Sequence, residues 1–120
     1  MATDGYLYER RTADWLGAQG LRLLARNYRC RGGELDLVLF EGSTLVFVEV
    51  RVRSNLRFAG AAASVDWRKQ RRLRHAALLY LQRECRGGAP PCRFDLVVWE
   101  PAPDSGKLRP RWIRSAFTAP

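Results

Sequence analysis

Two short apolar runs, each with a carboxylate inside it, stand on either side of a four-residue turn. They are Glu34-Leu35-Asp36-Leu37-Val38-Leu39-Phe40 and Leu45-Val46-Phe47-Val48-Glu49-Val50-Arg51-Val52, separated by Glu41-Gly42-Ser43-Thr44. Apolar runs of this length read as strands, and the spacer has the length of a hairpin loop. Strand side chains alternate faces, so Glu49 and Arg51 project from one side and Val46, Val48 and Val50 from the other. A carboxylate so deep in a valine-rich strand is costly unless it is solvated or partnered. Asp36 repeats the problem, because aspartate is disfavoured in strands and competes for backbone groups. Pairing Glu41 with Thr44 at the turn carries Asp36 opposite, or nearly opposite, Glu49. Two like charges across a ladder repel. A hard divalent cation removes the conflict, taking carboxylate oxygens at about 2.0–2.1 Å while keeping waters for a substrate phosphate. The plainer alternative is a solvated sheet face with a Glu49–Arg51 pair.

The remaining pattern supplies the elements that would cover such a hairpin. Residues 6–18 carry Tyr6, Leu7, Ala13, Trp15 and Leu16 among charges, an amphipathic helix ended by Gly17 and Gly20. A strand is predicted over Leu21 to Arg29, followed by a turn at Arg31-Gly32-Gly33. The stretch from Arg53 to Ser64 is polar and without clear period, and is read as a loop. A long helix is predicted over Val65 to Arg86, capped by Ser64, closed by Gly87-Gly88 and blocked by Pro90-Pro91. Arg93 to Trp99 reads as a further apolar strand and Arg111 to Phe117 as a last edge strand. The order helix, three strands, helix, one or two strands implies an α/β fold: a central mixed sheet flanked by helices.

Within the long helix, Lys69 falls on the stripe of Leu73, Ala76 and Tyr80 at about 100° per residue. Near the helix start its ammonium can snorkel from the core edge toward the acids. Arg68, Arg71 and Arg72 fall on the opposite side, where they suit backbone phosphates, and Arg53 at the head of the polar stretch joins that nucleic-acid-binding set. The plain alternatives are an ordinary snorkelling lysine and a solvated basic face. His75, beside these residues, reads as a surface or phosphate-contacting side chain. Trp15, Trp67, Trp99 and Trp112 could stack bases, but at these positions read as core or edge packing. Glu34 shares strand parity with Asp36, so it either approaches a metal or caps the turn. Asp95 is expected to pair with an arginine such as Arg93.

Composition narrows the class. The formal charge of +9, from 21 Lys and Arg against 12 Asp and Glu, favours a polyanion partner, since each neutralised phosphate releases counterions. The N-terminal stretch has no secretory pattern and no run reaches the roughly 20 apolar residues of a membrane span. A cytoplasmic protein with no membrane partner is the expectation. Cys30, Cys85 and Cys92 have no metal-ligand spacing and are read as reduced. With His75 as its single histidine, the chain has little to build a His-rich zinc site or a Ser-His-Asp triad.

Taken together, these pieces resemble the YraN family of small bacterial proteins, related to the PD-(D/E)xK nucleases and to archaeal Holliday-junction resolvases. Gly5-Tyr6-Leu7-Tyr8-Glu9 looks like the family's opening glycine-x-x-x-glutamate, followed by Ala13 and Trp15-Leu16. Asn27 precedes Gly33-Glu34-Leu35-Asp36-Leu37, similar to GEIDLI; Phe47 to Arg51 looks like FVEVK, Lys69 to Leu73 like the KQRR-type helix start, and Arg93 to Val97 like RFDVV. The match covers residues 5–99 of a single domain over 1–120, with 100–120 a loop and edge strand.

The resemblance implies a restriction-endonuclease-like fold in which Asp36 and Glu49 bind Mg²⁺ or Mn²⁺, with Glu9 as a third, outer acid. It implies phosphodiester hydrolysis in DNA, with branched or single-stranded DNA as the expected substrate shapes and a homodimer as the expected assembly. The sequence departs from the pattern at Arg51, which stands where the motif has lysine. Arginine keeps the positive charge but is effectively never deprotonated. Either Lys69 supplies the ammonium, so that Asp36, Glu49, Arg51 and Lys69 form the catalytic set, or the chain is a non-catalytic DNA-binding module. An adaptor meeting an acidic protein is a third reading.

Overall fold

The computed structural model describes residues 3–53, 65–86, 88 and 90–118. Helix α1 (Thr3–Ala18) leads into β1 (Arg22–Cys30), β2 (Gly33–Glu41) and β3 (Thr44–Val52); helix α2 (Trp67–Glu84) then precedes β4 (Cys92–Pro101) and β5 (Leu108–Phe117). The five strands form one sheet in the order β1-β2-β3-β4-β5. β3 and β4 are parallel and every other pair is antiparallel, so α2 lies in the crossover that a parallel pair requires. This is the expected α/β architecture, a mixed sheet flanked by helices, and it is compatible with a restriction-endonuclease-like fold.

Alternation along β3 assigns one helix to each face. Leu45 and Phe47 pack with Leu73, Ala76, Ala77 and Tyr80 of α2, together with Phe94, Leu96 and Val98 of β4. Val46 and Val48 pack with Ala13 and Leu16 of α1, together with Leu37, Leu39, Val97 and Trp99. Burying each such aliphatic or aromatic side chain contributes about 1.5–3 kcal/mol. The buried stripe of α1 is Glu9, Thr12, Ala13 and Leu16, one helical face. Tyr6 and Leu7, counted with the apolar face on sequence, are exposed. Leu7 lies off that stripe, and Tyr6 sits at its outer end with its hydroxyl accepting from Arg29 Nη2 at 2.6 Å.

Two boundaries differ from expectation for local reasons. α2 begins at Trp67 because Asp66, in extended conformation, accepts the Lys69 amide on its side chain at 2.9 Å; aspartate is a strong N-cap. Ser64, the expected cap, and the 54–64 part of the polar stretch lie outside the described residues. β5 starts earlier than predicted, at Leu108, because Arg109 and Leu108 continue the ladder opposite Glu100 and Pro101.

One irregularity matters for function. Ala25 and Tyr28 on β1, and Leu35 and Val38 on β2, all belong to the α2-side core, a spacing of three where a regular strand gives two. The break falls at Asn27, whose φ is 53°, a left-handed conformation that asparagine tolerates better than most residues. On the other side, the β2–β3 ladder runs from Glu41↔Thr44 to Leu37↔Val48 and stops. Beyond it the Val50 amide donates to Asp36 Oδ2 at 2.9 Å. The strands part at the embedded acids.

Candidate metal and phosphate site

The parting of β2 and β3 gathers carboxylates from three elements. One oxygen each from Glu9 of α1 and from Glu34 and Asp36 of β2 lie within 4.8 Å of one another, a spacing that a single metal ion could bridge. Glu49 of β3 lies against Asp36 from the α2 side and is only 4% exposed. Its carboxyl is pushed up to about 8, first by burial and then by the neighbouring Asp36 charge. Glu9 is pushed up to about 7, again first by burial and then by Asp36 and Glu34. Asp36 therefore stands between two acids that resist ionising beside it.

The polar partners of these acids are placed by the same backbone features. Asn27, turned by its left-handed backbone, points its amide at the cluster; with Nδ2 facing the acids it donates to both Glu9 oxygens at 2.8 and 2.9 Å and to Glu34 Oε1 at 3.3 Å. Glu34 also lies 3.7 Å from Arg29 Nε. α1 is keyed to the sheet by Thr12, whose hydroxyl accepts from Trp99 Nε1 at 2.8 Å and donates to the Tyr8 carbonyl at 2.6 Å. That bond sits one turn after Glu9 and sets its height over Asp36. A cleft of about 290 Å³ lined by Tyr6, Glu9, Arg10, Arg26 and Asn27 opens this side of the cluster to solvent.

On the α2 side, Lys69 Nζ is 3.5 Å and Arg51 Nη2 3.2 Å from Glu49 Oε2. Glu49 Oε1 and Arg51 Nε are buried without a hydrogen-bond partner among the described residues. A buried carboxylate oxygen with no donor is costly. The donor set is all oxygen, which suits Mg²⁺ or Mn²⁺ and not a thiolate- or imidazole-seeking ion. Those residues fit a hard divalent cation.

A second feature lies on the outer side of α2. Trp67, Arg68, Arg71, Arg72 and His75 line a cleft of about 430 Å³ with Gly32 of the β1–β2 turn. Trp67 is 59% exposed, with the guanidinium carbons of Arg68 and Arg71 at 5.5 and 5.6 Å from its ring centre. Its expected packing role is thus corrected: the helix turns the indole outward, while Trp15, Trp99 and Trp112 are at least partly buried. His75 Nε2 lies 3.0 Å from the Arg31 carbonyl oxygen. Gly33 fixes the turn against α2, since a Cβ there would lie 2.5 Å from the Arg72 carbonyl oxygen.

Of the residues singled out on sequence, the fold brings together Glu9, Asp36, Glu49, Arg51 and Lys69, and sets Arg68, Arg71 and Arg72 along the outer cleft. Arg53 lies elsewhere, its amide bonded to the Trp99 carbonyl and its guanidinium 4.0 Å from Glu100. Glu34 lies with Glu9 and Asp36 in the acid cluster. Asp95 is fully buried and pairs with Arg93 Nε at 3.0 Å, as expected, and also accepts from Trp112 Nε1 and the Ser115 amide. Asn27 was missed as a site residue; its signal was an asparagine in mid-strand, where a left-handed kink is the residue's most distinctive use.

The family model described as uncharacterised protein family UPF0102 matches residues 8–98. A Pseudomonas putida (strain F1) protein named UPF0102 protein is 50% identical over 113 residues, covering 94% of this chain and 91% of its own length. A namesake from Alkalilimnicola ehrlichii is 49% identical over 112 residues, covering 93% and 84%. One from Bordetella parapertussis is 48% identical over 117 residues, covering 94% of this chain and 63% of the relative.

Proposed function

The chain belongs to the UPF0102 family, the YraN family that its motifs resemble, and from that premise and the site's geometry we propose that it is a metal-dependent endonuclease acting on DNA. One observation carries the reading. Glu9, Glu34 and Asp36 bring one carboxylate oxygen each within 4.8 Å of one another, and Glu49 is buried beside Asp36 with two cations on its Oε2. Asp36, Glu49, Glu9 and Glu34 would hold Mg²⁺ or Mn²⁺. When bound, such an ion supplies a Lewis acid that lowers the pKa of a water and screens phosphate charge.

The chain's own residues supply the rest. Asp36 stands between Glu9 and Glu49 and is held by the Val50 amide, so its geometry is set by the backbone. Lys69 places an ammonium beside Glu49 from α2, which compensates for arginine at the motif's lysine position. A guanidinium is not a proton acceptor in proteins, so Arg51 orients and stabilises an anionic phosphate and abstracts no proton. Arg68, Arg71 and Arg72 lie one helix face away, where they neutralise the backbone of the bound strand.

The test is cleavage of labelled duplex, single-stranded, flap and four-way-junction DNA in Mg²⁺ and in Mn²⁺. Asp36→Asn keeps an oxygen for the Val50 amide and Glu49→Gln relieves the repulsion, so both should fold while cleavage falls by about 100-fold or more. Equal cutting by parent and both variants would overturn the site. Binding without cleavage on every substrate would favour the second reading, a non-catalytic DNA-binding module, for which Arg51 at the lysine position is the supporting observation.

A further inference from the structure

The outer cleft of α2 has a composition that backbone binding alone does not require. Arginines suffice to neutralise phosphates, yet the cleft is built around an indole that is 59% exposed. Leaving so much aromatic surface in water forgoes burial free energy. Arg68 and Arg71 approach the ring at 5.5 and 5.6 Å, a cation–π arrangement that holds it in place. Among the described residues no acid lines this cleft, which at about 430 Å³ falls within the size range of small-ligand sites. Its floor is Gly32, at φ +89°, with the His75 ring 3.4 Å from where a Cβ would stand; a side chain there would be strained and would crowd the histidine.

We propose that this cleft seats an unpaired nucleotide, its base stacked on Trp67 and its phosphate held by the arginines of α2. Stacking on a protein ring needs a free base face, and in an intact duplex both faces of each internal base are already stacked. The cleft therefore selects single-stranded or unpaired segments, while arginines alone would accept any polyanion. Lys69, in the same turn of α2, reaches Glu49 from the other side, so a strand anchored on Trp67 is held one helix width from the acid cluster. The inference rests on the nucleic-acid part of the proposed function and not on cleavage.

The test is equilibrium binding in EDTA, so that no strand is cut, with three probes of one length: an oligo-dT, an abasic deoxyribose-phosphate strand and a duplex. The parent should bind oligo-dT about tenfold or more tighter than the abasic strand, since a stacked base contributes about 1–3 kcal/mol. Trp67→Ala should bring oligo-dT down to the abasic level and leave the duplex unchanged, and Trp67→Phe should keep most of the preference. Equal binding of oligo-dT and abasic strand by the parent overturns the proposal without any variant. An equal loss on single strand and duplex in Trp67→Ala overturns it too. Base-dependent binding by a protein that never cuts DNA would remove the nuclease reading and leave this one standing; no binding of any probe would remove both.

Discussion

Glu49 has a lysine and an arginine at Oε2 and the Asp36 carboxylate as a neighbour, so its ionisation is contested from both directions. Burial and the Asp36 charge win, and its carboxyl titrates near 8, with Glu9 near 7, against an ordinary 4.5. A carboxyl whose pKa is raised on folding favours the folded state at low pH, and that advantage is lost as pH climbs from the unfolded value through the folded one. The metal-free protein should thus melt at lower temperature at about pH 8.5 than at about pH 5.5, and Glu49→Gln should flatten the decline, both read by thermal denaturation in chelator. Mn²⁺ should act with the opposite sign, raising the melting temperature more at the higher pH, because ligands must lose their protons to bind. Lys69→Met should lower single-turnover cleavage at saturating Mn²⁺ by about 100-fold or more; undiminished cleavage would show that Arg51 alone suffices. Asp36, Glu49 and Lys69 were legible in the sequence because each violates its local pattern, an acid or a base on an apolar stripe. Asn27 and Trp67 were not. Their roles depend on a backbone reversal and on what leaves an indole uncovered, neither of which residue spacing encodes.

Among elements, α2 lies close against the start of β2 at Gly33. Gly33→Ala would set a methyl 2.5 Å from the Arg72 carbonyl oxygen, which is helix backbone and cannot swing aside. The variant should lose about 1–3 kcal/mol in urea denaturation, and a neutral result would mean that α2 is free to shift. At the other end of the sheet, Glu41 ties Arg93 of β4 and Arg114 of β5 to the hairpin, at 2.7 and 2.6 Å. The Arg114 hydrogen bond, then Arg93, holds its carboxyl down at about 2 against burial. The sign here is reversed: the stabilisation is complete above about pH 4.5 and is lost as pH falls toward 2. Glu41→Gln should flatten the acid limb of the stability curve over that window. Strand and helix identities followed from periodicity, because burial on one face imposes it. Their ends did not, because a side chain such as Asp66 decides where α2 begins.

For the whole molecule, the fold class was readable from element order, since three strands, a helix and further strands leave few ways to bury every apolar face. The excess of nine positive charges is read only in solution. Replacing Arg68, Arg71 and Arg72 together by alanine should weaken DNA binding and reduce the slope of log affinity against log salt by about 2 to 3; an unchanged slope would place the phosphate contacts elsewhere. The outermost strands carry their own share of that charge. β1 exposes Arg22, Arg26 and Arg29, and β5 exposes Arg109, Arg111 and Arg114, with Pro110 offering no amide. Arg29, Arg111 and Arg114 are paired with Glu34, Glu100 and Glu41, so the repulsion rests on the remaining arginines; open sheet borders invite neighbouring copies to zip on, and like charge discourages it. The colloidal consequence is that ionic strength pulls the molecule two ways. The salt that strips it from a polyanion also lowers the barrier between its borders, so light scattering from concentrated protein should rise over the range in which binding fades.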